Sequence, residues 1–395
     1  MTDTFDPYAP SSDERYAAMA QVRARGGMQE TPAGWYVATA AGVSAGLHDV
    51  EKFVGSFVDT SALDEDDVMI SAIPEPRHGR IRRVINTVVA AHRTIQNEPF
   101  IRERARELVA AAVARAGDGP VDVVATVVDP LPSIVIAHML GVPADMVDRF
   151  ATWSDELLEA QNAGGSGALS GAHPEFARFV QGLIDERRAD PDPPDDVVTR
   201  FIRTDVDGEY LSDRAIRTQT MFLIVAGNET TRNLIGNCLY VLATRPDLYA
   251  RLRGEPTLVG PFVEESLRLD SPVQVLARAV LGDTEIERCP LHAGDRVVFG
   301  LASANRDEAA HADPTEFRLD RPRPRDHLAF GAGPHVCPGA SLARLEAAAV
   351  LEELLGRVET IRLADDFTPA PNPVFWAHGH RSLPVVLTPV SRVAT

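Results

Sequence analysis

A single long helical run constrains this chain most. Ser212 and Asp213 are good N-cap residues, and helical patterning continues from them to about Arg245, just before Pro246. At 1.5 Å per residue this predicts roughly 50 Å of helix, long enough to cross a whole domain. Other helical patterns lie at 98–116, where Ile101, Ala105, Leu108, Val109 and Ala112 recur at helical spacing, and at 174–189. The segment from Ala279 to Leu301 differs. Its Asp, Gly and Pro turns separate short strands such as Arg296–Gly300, and strand patterning returns near Leu383–Leu387. The expected class is mainly α with a small β region (α+β), the β residues lying mainly near 279–301 and 370–390.

The 395 residues suggest two to three domains at about 150 residues each. No Pro/Gly/Ser linker cuts the chain in two, so a single domain spanning 1–395 is expected. A formal charge of −18 argues against a nucleic-acid binder, which needs a basic surface, and against an anionic membrane surface. No apolar run approaches the ~20 residues of a spanning helix, and no signal peptide precedes the acidic start. A reduced, cytoplasmic protein is the expectation. Cys238, Cys289 and Cys337 are odd in number and far apart, which fits neither a disulfide framework nor a Cys-based zinc site.

Cys337 stands out among them. It sits in Phe330-Gly331-Ala332-Gly333-Pro334-His335-Val336-Cys337-Pro338-Gly339, ahead of the strong helix pattern Ala340–Val350. Glycines let this loop approach a flat partner closely. Pro338 suits a first helical turn. The free N–H groups of a helix start favour a thiolate. Cys238 reads as core and Cys289 as part of a turn region.

The loop resembles the haem-binding segment F-G-x-G-x-H-x-C-x-G of cytochrome P-450 enzymes, in the form of soluble bacterial members. By that resemblance, Cys337 is the thiolate ligand of a haem b iron, with Phe330, Gly331, His335 and Gly339 around the cofactor. Three further motifs occur in the family's order, so the resemblance covers about 70–390. Ala226-Gly227-Asn228-Glu229-Thr230-Thr231 matches the oxygen-activation groove. Gly227 makes room and lets the helix bulge, while Glu229 and Thr230 pass protons. Glu265-Ser266-Leu267-Arg268 matches the E-x-x-R pair. Its third member is Arg321, with Arg318 or Arg323 as alternatives. His78 and Arg82, four apart on a helix, match propionate partners, as do Arg278 and His335.

The resemblance implies a triangular helical prism, with haem between the long central helix and the helix after the cysteine loop. It also implies a monooxygenase that uses O2 on an apolar small molecule. The expected pocket walls are Val68, Ile70 and Ile73; Phe222 and Val225; Val273, Val275 and Leu276; and Val374, Phe375 and Trp376. A lid is expected at Gly164, Gly165 and Gly167. No P-loop, G-x-G-x-x-G or reductase domain is present, so electrons come from outside. By the resemblance, the segments holding five arginines between Arg77 and Asn97 and five between Arg318 and Arg344 lie near the cysteine side of the haem, and a basic face for a ferredoxin-type donor is expected there. A monomer is expected, with no nucleic-acid or membrane partner. The alternatives are a peroxide-driven relative and a non-catalytic haem-thiolate binding protein.

Overall fold

The computed structural model describes residues 5–9, 12–56, 60–89, 91–162, 168–205, 207–371 and 374–390. Helix Asp213–Thr244 runs for 32 residues. The Ser212 hydroxyl starts it by accepting from the Ala215 amide at 3.0 Å, one of the donors that every helix start leaves unpaired. At the other end, Pro246 opens the next helix, Pro246–Gly254.

The long helix is buried over most of its surface, including Gln219, Asn228, Glu229, Asn233 and Asn237. A buried polar group left unpaired costs roughly 1–3 kcal/mol, so these side chains become cross-links. Asn228 donates to Ser154 Oγ and accepts from Ser133 Oγ, both at 3.1 Å. Asn237 donates to the carbonyls of Asp270 and His378 at 2.9 and 3.2 Å. The main apolar core surrounds this helix, and two smaller clusters lie against the largest sheet.

Helix Pro174–Ala189 spans the range read from sequence. The helix expected from residue 98 instead begins at Ala91 and runs through Pro99 to Arg115. A proline usually marks a helix start. Here packing against helix Ala340–Arg357 carries the helix past it, helped by Arg102–Glu352 at 2.6 Å.

The β structure needs a larger correction, because it is not confined to the C-terminal half. The five-stranded sheet takes Met28–Thr31, Gly34–Val37 and Phe53–Gly55 from the N-terminal region, and Val275–Val280 and Arg296–Gly300 from the C-terminal half. Its order is Met28–Thr31, Gly34–Val37, Arg296–Gly300, Val275–Val280, Phe53–Gly55. Gly34–Val37 lies parallel to Arg296–Gly300, and the other neighbours are antiparallel. A second sheet places Pro384–Pro389 between Val121–Asp122 and Val358–Leu363. Strands this short carry little alternation, and distant pairing holds them.

The strongest charged cross-link lies beneath the site. Glu265 and Arg268 are 2% and 1% exposed. Arg268 donates Nε to Glu265 Oε2 at 2.9 Å and a terminal nitrogen to Oε1 at 2.8 Å. Arg321 Nε reaches both Glu265 oxygens at 2.9 and 2.8 Å, and the Arg318 amide adds a bond at 2.9 Å. The Arg318 side chain turns to Asp313 and Asp320, and Arg323 turns to Asp326. Arg321 is thus the arginine whose side chain joins the pair. Arg268 also binds the carbonyls of Asn305, Pro314 and Glu316, which ties residues 305–321 to helix Val259–Leu269. Breaking a buried pair leaves an unmatched charge, so Arg268→Ala is expected to lose on the order of 3–5 kcal/mol. Urea denaturation checks this, and a loss within the range of a surface pair would contradict it.

Candidate active site

The cysteine loop is shaped by backbone constraints. Gly331 and Gly333 have φ of 71° and 68°, values that favour glycine. A Cβ on Gly333 would lie 2.5 Å from the Leu47 carbonyl oxygen, so the loop seats directly on helix Ala40–His48. The Cys337 amide donates to the Phe330 carbonyl at 2.9 Å. Helix Ala340–Arg357 starts after the N-cap Gly339, so Pro338 lies just before the first turn expected to contain it.

Cys337 faces a cavity of about 310 Å³. Burial pushes its thiol up, opposed by the amides of Gly339 and Ala340 and by Arg82 and Arg344. The two amides at the helix start thus favour the thiolate, as expected, against the effect of burial. Coordination to a metal would ionise it, because a metal-bound thiol is deprotonated outright. Cys238 is buried in the long helix, its thiol pushed up to about 12 by burial. Cys289 opens the short strand Cys289–Leu291.

The roof is one stripe of the long helix: Phe222, Leu223, Ala226, Gly227, Thr230, Thr231 and Leu234. Gly227 has nothing within 4 Å of a built Cβ, and the helix is continuous there without the expected bulge. The Thr230 hydroxyl donates to the Ala226 carbonyl at 2.8 Å. Glu229 is a residue earlier and so about 100° around the helix. It is buried, accepts from Asn233 Nδ2 at 3.1 Å, and does not line the cavity. Behind it, Arg232 bridges Asp155 at 2.6 Å and Asp129 at 3.7 Å. Burial, with Asp155, Glu229 and Asp122 adding to it against Arg232, pushes the Asp129 carboxyl up to about 6.

One side of the cavity is cationic. His78 and Arg82 project from helix Arg77–Val89, Arg278 from strand Val275–Val280, and His335 from the loop. His78 stacks on His335 with ring centroids 3.8 Å apart, and its Nδ1 pairs with Glu75 at 2.8 Å. Among the described residues the buried His78 Nε2 and Arg82 Nε have no hydrogen-bond partner. The Arg278 side chain donates one hydrogen bond among the described residues, to the neighbouring Ala277 carbonyl at 2.9 Å. Burial pulls Arg278 down to about 10. Burial and the charges of His78, Arg278 and Arg82 pull His335 down to about 3. No Asp or Glu lines the cavity among the described residues. Unopposed buried donors of this kind suit the carboxylates of a flat, otherwise apolar group, so the donor set fits a haem and its propionates.

Of the expected walls, Ile70, Phe222, Val273 and Leu276 line the cavity, whereas Val68, Ile73, Val225, Val275, Val374, Phe375 and Trp376 do not. Strand alternation explains Val275, which turns into the cluster with Tyr36 while Leu276 faces inward. Ile73 and Val225 are core residues. Phe375 packs on Tyr8 at 5.1 Å, and Trp376 joins the same N-terminal cluster. The expected lid at Gly164, Gly165 and Gly167 lies outside the described residues. Met69 lines the cavity within the expected 68–73 loop, whereas sequence reading missed Ile85, Val89 and Ile136 on the walls. Ile85 and Val89 continue the spacing of His78 and Arg82 along one helix face, and that spacing could have found them.

It also missed Glu264, which accepts from Arg344 at 2.7 and 3.0 Å and from His327 at 3.0 Å. Arg344 lies 4.4 Å over the Phe330 ring, so Glu264 braces the cysteine loop from behind.

The profile of the family described as Cytochrome P450 matches residues 168–365. A steroid C26-monooxygenase of Mycobacterium tuberculosis is 34% identical over 326 residues, covering 81% of this chain and 86% of the relative. The chain belongs to the cytochrome P450 family. Members of this P450 family are monooxygenases that carry haem on a cysteine thiolate and use O2. A methyl-branched lipid omega-hydroxylase of Mycobacterium bovis is 32% identical, covering 79% of this P450 and 73% of the relative. The structure of cytochrome P450 CYP109Q5 from Chondromyces apiculatus superposes with a TM-score of 0.87 at 32% identity, covering 99% of this chain and 100% of the other. Among the described residues no helix is long and apolar enough to cross a membrane.

Burial would raise the Glu264 carboxyl, but His327 and Arg344 outweigh it and hold it down at about 2. A depressed carboxylate contributes stability above its unfolded value and loses it as pH falls toward the folded one. The stability gap between wild type and Glu264→Gln should therefore be constant above about pH 5 and close as pH falls toward 2. Denaturant titrations across that range measure it, and a gap that stays constant would refute the pairing.

Proposed function

We propose that this P450 hydroxylates, or otherwise oxidises, apolar small molecules such as terpenoids, steroids, polyketides or aromatics. Cys337 is the thiolate ligand of haem b, and His78, Arg82, Arg278 and His335 hold its propionates. The observation that carries this reading is one cavity that joins a cysteine, the arginine and histidine donors Arg82, Arg278, His78 and His335, and the Thr230 roof. When bound, the haem supplies one-electron chemistry and the activation of O2.

The chain's own residues do the rest. Apolar side chains such as Ile70, Ile85, Phe222 and Leu276 exclude water and orient a substrate by shape. Thr230 holds a proton at Oγ1 on the cavity side, and Glu229 holds one behind it. Asp129 and Asp155 are 43% and 49% exposed and give that carboxylate a polar route from solvent. The names of the steroid and methyl-branched lipid relatives support an apolar, extended substrate.

Electrons come from an external ferredoxin and its reductase. Among the described residues, the arginines in 77–97 and 318–344 other than Arg82 each have a carboxylate partner. The exposed Arg323 and Arg325, with Arg80 and Arg83 beside their partners Glu209 and Asp207, form the docking face. A donor there exchanges existing ion pairs for new ones.

The reduced protein with carbon monoxide should show the strongly red-shifted band of thiolate-bound haem, and Cys337→Ser should abolish it. An unchanged band in the variant would refute the ligand assignment. Thr230→Ala should raise the reductant consumed per product several-fold, while substrate binding is kept. Unaltered coupling would remove the proton role of Thr230.

A further inference from the structure

Gln219 is 1% exposed and lies on the long helix, just before the stripe that roofs the cavity. A buried carboxamide has to find both donors and acceptors. Gln219 finds them on the backbone of one loop. Its Oε1 accepts from the Ile70 amide at 2.9 Å, and its Nε2 donates to the Val68 carbonyl at 2.9 Å. These two groups flank Met69. The Ile70 amide is also the first N–H of the short turn Ile70–Ala72, whose N-cap Met69 has no side-chain bond to give. Gln219 therefore caps that turn from another element.

Met69, Ile70, Ser71 and Ala72 are cavity wall. The rest of the loop is held at its rim by charge. Arg214 Nε donates to Asp67 at 2.9 Å, Arg214 also pairs with Asp64 at 3.3 Å, Arg77 pairs with Asp66 and Glu65, and Ser212 donates to Asp66 at 2.6 Å. Such partly exposed pairs are weak and screened by salt. The Gln219 bridge is neutral and buried, and it acts on the residues that touch the cavity.

We propose that Gln219 is a positioning residue for substrate: its carboxamide fixes the 68–72 wall and thereby sets which ligand sizes the cavity accepts. Its role toward substrate rests on the haem-thiolate reading above; its hold on the loop does not.

Two readouts test this. The first is hydrogen exchange by mass spectrometry on peptides covering 64–73. Gln219→Leu removes both bonds, and exchange there should be at least about fivefold faster, given about 1 kcal/mol per buried bond, with helix Ala340–Arg357 unchanged. Gln219→Glu separates bonding from shape. A protonated carboxyl carries a donor and an acceptor, so protection should return at pH 5 and fall at pH 8, where the ion cannot donate to Val68. Asp64, Glu65, Asp66, Asp67, Arg77 and Arg214 face the same loop, and wild type at both pH values controls for them.

The second readout is azole binding to the haem-loaded protein, followed by its absorption spectrum. Imidazole is too small to need the wall, and 4-phenylimidazole extends toward it. In Gln219→Leu the imidazole affinity should stay within about twofold while 4-phenylimidazole weakens at least about fivefold, as expected for a lost positioning contact. Unchanged loop protection, or lost protection with an unchanged ratio of the two affinities, would overturn the proposal. If neither azole alters the spectrum of wild type, the haem-thiolate reading fails instead, and the exchange data still decide whether Gln219 holds the loop.

Discussion

Moving a carboxylate from water into a protein interior costs several kcal/mol unless its lone pairs are matched. Glu264 and Glu265 place two such groups on consecutive residues of one helix. Each is matched by arginines from later in the chain, and the two point their consequences in different directions. Glu265 gathers Arg268, Arg321 and the Arg318 amide, fixing the irregular chain between 305 and 321. Glu264 gathers Arg344 and His327, fixing the helix that follows Cys337. Neither partner set can relax without stranding an ion, so the cysteine loop is held by these pairs as well as by packing.

Above that base the cavity is divided by polarity. Arginine and histidine donors occupy one side, apolar side chains form the walls, and the roof is split between Thr230, which faces in, and Glu229, which faces away. That split follows from helix geometry. Two neighbouring residues serve two compartments, and Asn233, one turn further along, holds the Glu229 carboxylate.

Much of this was legible because local chemistry marks it. Ser212 and Pro246 bound the long helix, and the cysteine loop, the Glu265–Arg268 pair and the His78–Arg82 spacing are each short-range patterns. What was not legible depends on partners far away in sequence. Strands of three or four residues, such as Phe53–Gly55, exist through pairing with Val275–Val280 and carry no periodicity of their own. The wall residues depended on which side of a strand or helix meets the cavity, so Leu276 faces it and Val275 does not. Glu264 reads as an ordinary acidic neighbour until Arg344 is brought to it, and Gln219 reads as a polar interruption of a helix until the loop at 68–72 is folded over it.

The interleaving of the largest sheet has a kinetic side. Its middle joins Gly34–Val37 to Arg296–Gly300, and Gly333 seats its loop on helix Ala40–His48. Closing loops of that length is entropically costly before any contact rewards it, and such long-range topologies fold slowly. During synthesis the hairpin Met28–Val37 therefore waits, unpaired on one edge, until roughly 260 residues have followed. Cavity walls and sheet alike draw on both ends of the sequence, so a half-made chain holds no complete cavity.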